Sequence, residues 1–363
     1  MKKIMTGQSN SKVLVIGVFP PPVTGMTMIN QLFTESLENL DIDFKRYNLA
    51  TSITSRWFFR FYKNLLTFGL AFLIPYFKIV KRYTHCYQPC NAKIGMLSTL
   101  LIVFWSKLWR LKCVIHHHSF AYVDDSSIIM NTICRLMSHD DYQIFLCDRH
   151  QAKFRTLYSG SYKSAILPNY AYYKDIEAKA MQKSAKSLAI GHLSNLSLAK
   201  GIADMIAVYD ILATRLEGLK LIIGGPFSDL ESKRLIEETQ KKHGKGIVYK
   251  GALYNNEKEV FFGEIDLFVF PTKYFNEAQP LVLIEAQSRG IPIVSYSRGC
   301  INSDIKNGGV VLTENIELMA EEIEKLFLDD NYRFQMKNDA IGNFKELMDK
   351  GKEAKHKLVE IFS

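Results

Sequence analysis

Residues 44–123 contain no aspartate or glutamate. The same span carries 12 of the chain's 46 lysines and arginines, so the remaining 34 face 37 acids and the whole net charge of +9 arises here. A long span of one sign points to an anionic partner, either nucleic acid or lipid. No nucleic-acid recognition motif accompanies it, and it is crowded with aromatics, which favours lipid. Also missing is any apolar run long enough to span a bilayer. The charge-free core of the aromatic stretch 56–82 covers only 64–77 and contains Pro75, and 94–106 is also short. The expectation for 56–82 is an in-plane element on an anionic membrane surface, with aromatics inserted and Lys or Arg at the headgroups. The plain alternative is a core helix pair, and for 94–106 packing is the preferred reading. Six cysteines follow no framework spacing, which argues against a disulfide-built secreted fold. Cys86 and Cys90 are spaced loosely like metal ligands but lack a second pair, so packing is the simpler role. The first residues show no apolar signal-peptide stretch. The expected location is cytoplasmic, peripheral on the inner face of the plasma membrane.

What is present describes an ordinary globular protein: 47% hydrophobic and 23% charged over 363 residues, enough for two cores. Residues 12–19 form an apolar first strand. A Pro-rich turn with Gly25 follows, then a helix-periodic stretch over 27–40 and a second strand over 44–49. Short apolar runs at 112–118, 142–147 and 165–169 continue the pattern. A polar stretch at 175–186 reads as a linker, and the alternation restarts at 187. This predicts an α/β protein of two Rossmann-like βαβ domains facing across a cleft. The boundaries expected are 1–175, which includes the basic aromatic segment, 187–335, and a C-terminal helix over 336–363 that packs back towards the first domain.

The most informative stretch runs from 266 to 295. It reads as a buried strand (266–271), a loop, a short helix and a second strand (291–295). Pro280 suits the start of that helix, where a missing N–H is no loss. Glu277 lies in the loop and Glu285 within the helix, so two carboxylates straddle a helix N-terminus that attracts anions. That set suits a ligand with hydroxyls at both ends and phosphate between them, such as a nucleotide-sugar. Pro280 removes one backbone donor, which leaves Glu277 and the N–H groups of Ala278, Gln279 and Leu281 to carry the contact. The strand at 112–118 ends in three histidines. Strand alternation puts His116 and His118 on one face and His117 on the other. With no acid nearby and no cysteine pair, a metal site is the weaker reading. Asp41-Ile-Asp43 has the form of a metal-binding Asp-x-Asp but precedes the second strand, away from the strand ends where ligands bind.

These pieces together resemble the group 1 (family 4) glycosyltransferases of GT-B architecture. Glu277 and Glu285 match the family's two acids with seven residues between them. Pro271-Thr272, Ala286, Gly290, Pro292 and Val294 match its surroundings, as do Gly25, His118, 166–169, Gly191-His192-Leu193 and Lys200-Gly201. The resemblance implies that Glu285 binds the nucleotide's ribose hydroxyls, which a carboxylate can do by accepting two hydrogen bonds. It further implies that Glu277 contacts the transferred sugar, that Lys200 neutralises the diphosphate, and that His118 lies near the reacting sugar. Gly25 and Gly191 would line the donor path, and backbone at Gly251 and Leu253 would meet the base. His192 stands where many relatives carry Arg, and a neutral imidazole is a weaker phosphate partner. Solvated surface is the ordinary fate of a helical Glu or Lys, but the spacing beside a helix start argues against it here.

The expected activity is retaining, metal-independent transfer from a nucleoside-diphosphate-sugar to a lipid-linked or polysaccharide acceptor in bacterial cell-surface glycan assembly. No cofactor is expected beyond the donor, and the partners are the donor, the acceptor and an anionic membrane surface. An epimerase or hydrolase on the same scaffold would need further acids or bases, and no clear set presents itself. A non-catalytic membrane-bound assembly partner would have no use for an intact Glu277, Glu285 and Lys200.

Overall fold

The computed structural model describes residues 11–21, 23–50, 56–90, 92–173, 178 and 188–363, with backbone only for 56–61. The linker expected at 175–186 therefore falls almost wholly outside the described residues. The chain divides into two compact units: Met1–Tyr173 with Lys350–Ser363, and Lys174–Asp349.

In the first unit the strands are β1 (Lys12–Gly17), β2 (Asp43–Asn48), β3 (His85–Cys90), β4 (Lys112–His117), β5 (Tyr142–Phe145) and β6 (Lys163–Ile166). The helices between them are α1 (Gly25–Asn39), α2 (Arg56–Ile79), α3 (Met96–Leu108), α4 (Ala121–Asp124), α5 (Ile128–Leu136) and α6 (Asp148–Leu157). All strands are parallel, in the order β2-β1-β3-β4-β5-β6. The inner strands are buried along their length while β2, at the edge, is mostly exposed, as parallel sheets covered on both faces require. Thr24 and Thr27 start α1 with a reciprocal capping box. The stretch expected to lie in a membrane plane forms one 24-residue helix, α2, with Pro75 inside it. No helix among the described residues is long and apolar enough to cross a membrane.

The second unit holds β7 (Ala189–Leu193), β8 (Lys220–Gly224), β9 (Ile247–Tyr249), β10 (Leu267–Phe270), β11 (Ile293–Tyr296) and β12 (Gly309–Leu312). Its helices are α7 (Ile202–Ala213), α8 (Leu230–His243), α9 (Asn256–Glu264), α10 (Leu281–Ser288), α11 (Ile301–Ile305), α12 (Ile316–Leu328) and α13 (Asp330–Ile361). The order is β12-β11-β10-β7-β8-β9, again parallel. Alternate residues feed two cores. Ile190, Leu221, Leu267 and Val269 pack with α7 and α12, and Ala189, Ile222, Phe268 and Phe270 pack with α9 and α10. The last residues of α13 belong to the first unit, where Glu360 accepts from the Tyr142 hydroxyl at 3.3 Å and Phe362 packs edge-on to Phe33. Cys86, Cys113 and Cys134 are buried free thiols, and Cys90 is buried as well.

Candidate active site

Strand order in the second unit reverses between β7 and β10, its two central strands. Ligands in such sheets bind outside the carboxyl ends of the strands at this switch point. The loops leaving these two strands carry Lys200 and Glu277. Lys200 Nζ lies 2.6 Å from Glu277 Oε2, and the Thr272 hydroxyl donates to the same oxygen at 3.0 Å. Both charged side chains are largely buried, with 18% and 9% of their surface exposed. The ammonium also sits over the rings of Tyr274 and Phe270, at 4.7 and 5.7 Å.

The two loops are fastened to each other. The Lys273 N–H donates to Ala199 O at 2.9 Å, and Lys273 Nζ pairs with Asp204 at 2.7 Å. The Tyr296 hydroxyl donates to the other Asp204 oxygen at 3.0 Å. Gly201 makes this closeness possible. Its φ is +84°, and a Cβ there would stand 1.9 Å from Pro271 O. Charges held this way need no rearrangement when charge develops on a ligand, which is what electrostatic stabilisation demands.

The loop from 277 to 280 is anchored from behind. The Cys300 N–H donates to Ala278 O at 2.7 Å, beside Gly299 at φ +52°. Gln279 Nε2 donates to Asp304 Oδ1 at 3.0 Å, and burial raises the Asp304 carboxyl to about 8. Asn343 and Gln287 hold the Asp304 backbone carbonyl, at 2.7 and 3.1 Å. Pro280 is the N-cap of α10 and Leu281 its first residue, so the free N–H groups of this helix face the loop end. Glu285, one turn further, receives Lys258 Nζ on both carboxylate oxygens, at 2.9 and 2.8 Å.

The other expected residues are placed as follows. His192 is fully buried, with Nδ1 3.0 Å from Val269 O and Nε2 2.9 Å from Ser194 Oγ. Burial lowers it to about 4, so it is neutral near pH 7 and spends both nitrogens on protein partners. Gly191 lies mid-strand, and a Cβ there would meet Ile265 and Phe261 at 2.6 to 3.0 Å, which is a packing requirement. Gly251 has φ +75°, and its carbonyl accepts from the Gly225 N–H at 2.7 Å; Leu253 is buried against Gly224.

In the first unit Gly25 opens α1, with nothing within 4 Å of a Cβ built on it. His118 follows β4, its ring 4.0 Å from that of His116, so the two share a face as alternation requires. Burial lowers His118 to about 3. His117 points elsewhere, to Tyr122 and Gln143, at 2.9 and 2.5 Å. Between α1, α2, α3 and the ends of β1 and β3, where strand order in this sheet reverses, lies a cavity of about 30 Å³ lined by Asn30, Lys63, Gln88 and Ser98 among others. Among the described residues no group of histidines, cysteines and acids could hold a metal ion.

Lys258, Asp204, Lys273 and Asp304 were not singled out by sequence. Each is a charged residue on a helix or loop without a spacing pattern, and only the fold brings it to the loops that matter.

Two parallel doubly wound units of this kind are the GT-B architecture. Residues 174–342 match the family described as glycosyl transferases group 1. Among curated relatives, the capsular polysaccharide biosynthesis glycosyltransferase CapM of Staphylococcus aureus is 26% identical over 165 residues, 44% of this chain and 41% of that protein. The D-inositol 3-phosphate glycosyltransferase of Corynebacterium urealyticum is 24% identical over 198 residues, 52% and 46% of the two chains. The chain thus aligns with less than half the length of either. Sucrose-phosphate synthase from Thermosynechococcus elongatus superposes with a TM-score of 0.74 at 13% identity, over 97% of this chain and 98% of that one. Anabaena HepE in complex with UDP-glucose gives 0.69 at 16% identity, over 96% and 99%. Both share the two-sheet GT-B fold.

Proposed function

We propose that this glycosyltransferase moves a sugar from a nucleoside diphosphate to a lipid-linked or polysaccharide acceptor in cell-surface glycan assembly, with retention of anomeric configuration. The Lys200–Glu277 pair, fixed at the switch point of the second sheet, carries the reading. In this account Lys200 and the N-terminus of α10 meet the negative charge that develops on the leaving diphosphate, so transfer needs no metal. Glu277 and the N–H groups of Ala278, Gln279 and Leu281 hold the donor sugar. Glu285 accepts hydrogen bonds from the ribose diol, with Lys258 orienting its carboxylate. His118 and Gly25 belong to the first unit and are assigned to the sugar and acceptor side. His192, neutral and fully engaged, is assigned to holding β7 against β10 rather than to phosphate.

A surface-glycan acceptor is supported by the relatives. CapM is a capsular polysaccharide glycosyltransferase, and S. aureus TarM, with a TM-score of 0.64 over 81% of this chain, has been seen with α-GlcNAc-glycerol and UDP. A position on the inner face of the plasma membrane is supported by the acid-free span and by the apolar residues that α2 and α3 expose. The test is nucleoside diphosphate release from a panel of donor sugars by the wild type and by Glu285→Ala. Release by the wild type with one donor, reduced at least tenfold in the variant, is expected; equal release by both would sink the site assignment.

A further inference from the structure

A helix that packs on a sheet by one face ordinarily turns a polar face to water. α2 and α3 do not. On α2, Leu65, Phe68, Phe72 and Leu73 are 48% to 56% exposed, while Thr67, Ala71 and Ile74 on its other side are buried. On α3, Leu97, Phe104 and Leu108 are 48% to 58% exposed. Aromatic contacts join the two helices into one ridge. Phe68 meets Phe72 at 4.7 Å, Phe72 meets Trp105 at 4.8 Å, and Phe104 lies 6.2 Å from Trp105.

At Phe104 the ridge opens into a groove of about 370 Å³ between α3 and α5, lined by Leu97, Leu100, Leu101, Phe104, Thr132 and Leu136. The one hydroxyl in this lining, on Thr132, donates within its own helix to Ile128 O at 2.9 Å. The groove offers no polar group to a sugar or a nucleotide, and an apolar surface this continuous gains by leaving water. Charge decides what covers it. α2, α3 and the turns that flank them carry no acid, and Lys81, Arg82, Lys93, Arg110 and Arg135 are exposed around them. Two such cationic faces would repel each other, which disfavours a second copy of the chain, while anionic headgroups would complement them.

We propose that the α2–α3 ridge docks on an anionic bilayer and that the α3–α5 groove seats one hydrocarbon chain of a lipid from that bilayer. The inference rests on the membrane-surface reading above and adds a chain-binding site to it.

Two arms separate the claims. Flotation of the full chain with vesicles of phosphatidylglycerol and phosphatidylcholine tests docking; calorimetric titration with dodecyl phosphate below its micelle concentration tests the groove. The wild type is expected to float with anionic and not with neutral vesicles, and to bind dodecyl phosphate. The double variant Phe68→Ser, Phe72→Ser is expected to lose at least tenfold in vesicle affinity. Thr132→Phe, at an exposed helix position, and Leu97→Asn are expected to weaken dodecyl phosphate at least fivefold while keeping the wild-type circular dichroism. A wild type that does not float overturns the membrane reading and this inference together. A wild type that floats but fails to bind dodecyl phosphate, or is matched in that binding by both groove variants, overturns the groove alone. A dimer in sedimentation equilibrium that Leu97→Asn dissociates would make a second copy the occupant and overturn it as well.

Discussion

At the residue scale the site is a set of pairs, and breaking a pair should cost more than removing a surface charge. Lys200→Met leaves the buried Glu277 carboxylate without its lysine partner, though still accepting from the Thr272 hydroxyl, and removes the cation assigned to the diphosphate. Turnover is expected to fall about 10²–10³-fold, the usual loss when one fixed electrostatic donor is removed, measured as kcat with the best donor at saturation. Lys258→Met should act differently, because its ammonium pairs with the carboxylate assigned to the ribose. The expected result is a donor KM raised about tenfold with kcat within about twofold, as for loss of binding shared by ground and transition states. Asp304→Asn keeps an acceptor for Gln279 and removes a carboxyl that burial raises to about 8. A raised pKa means that the native state holds this proton where the unfolded chain releases it, so stability is lost as pH climbs from about 4 to 8. The variant should therefore melt higher than the wild type at pH 8, with a smaller gap at pH 5. Glu277 and Glu285 could be singled out in the sequence because their spacing around a helix start is local, whereas Lys200, 77 residues before Glu277, was singled out through the Lys200-Gly201 resemblance alone. Lys258 was not, since it lies 27 residues before its partner and on another helix, and pairing between elements leaves no trace in spacing.

At the scale of elements, two glycines make contrasting tests. Gly201→Ala puts a Cβ against Pro271 O at a left-handed φ, and the joined loops must separate. A loss of about 1–3 kcal/mol is expected in denaturant unfolding, the range for a strained backbone site. Gly25→Ala meets open space at the start of α1, so its stability should stay within about 0.5 kcal/mol of the wild type. If the α1 turn admits ligand backbone-close, kcat/KM should nevertheless fall. Most strands were readable from their short apolar runs, and α10 from Pro280 and the flanking strands, but β3, with the sequence HCYQPC, and β12 were not foreseen. α3 was read as plain packing, which its structure only half supports: Met96, Ile102 and Val103 are buried, but Leu97, Phe104 and Leu108 face outward. A stretch that is apolar all round carries no periodic signal to say which side meets the sheet.

At the scale of the whole molecule the buried histidines set the response to acid. His85, His117 and His192 are each lowered to about 4, and His116 and His150 lie well below the ordinary value, all chiefly through burial. A depressed pKa means that the unfolded chain binds protons that the native chain refuses, so stability is full above about 6.5 and is lost as pH falls towards 4. Each such histidine contributes about 1.4 kcal/mol per pH unit across that window. The denaturation midpoint should be nearly flat from pH 7 to 7.5 and drop steeply from 6.5 to 4.5; a midpoint independent of pH there would contradict the burial described. The α/β class and the two-sheet plan were legible from the restart of the βα pattern at 187, whereas the strand orders, and with them the switch points, depend on long-range pairing that local patterning does not encode. The second unit is proposed to bind a nucleoside diphosphate through Glu285 and Lys200. The decisive measurement is isothermal titration of uridine, guanosine, adenosine and thymidine diphosphates into the wild type, Glu285→Gln and Lys200→Met. Saturable binding of at least one of the four by the wild type, weakened tenfold or more in each variant, is the predicted result; no binding of any, or equal binding by all three proteins, would contradict it.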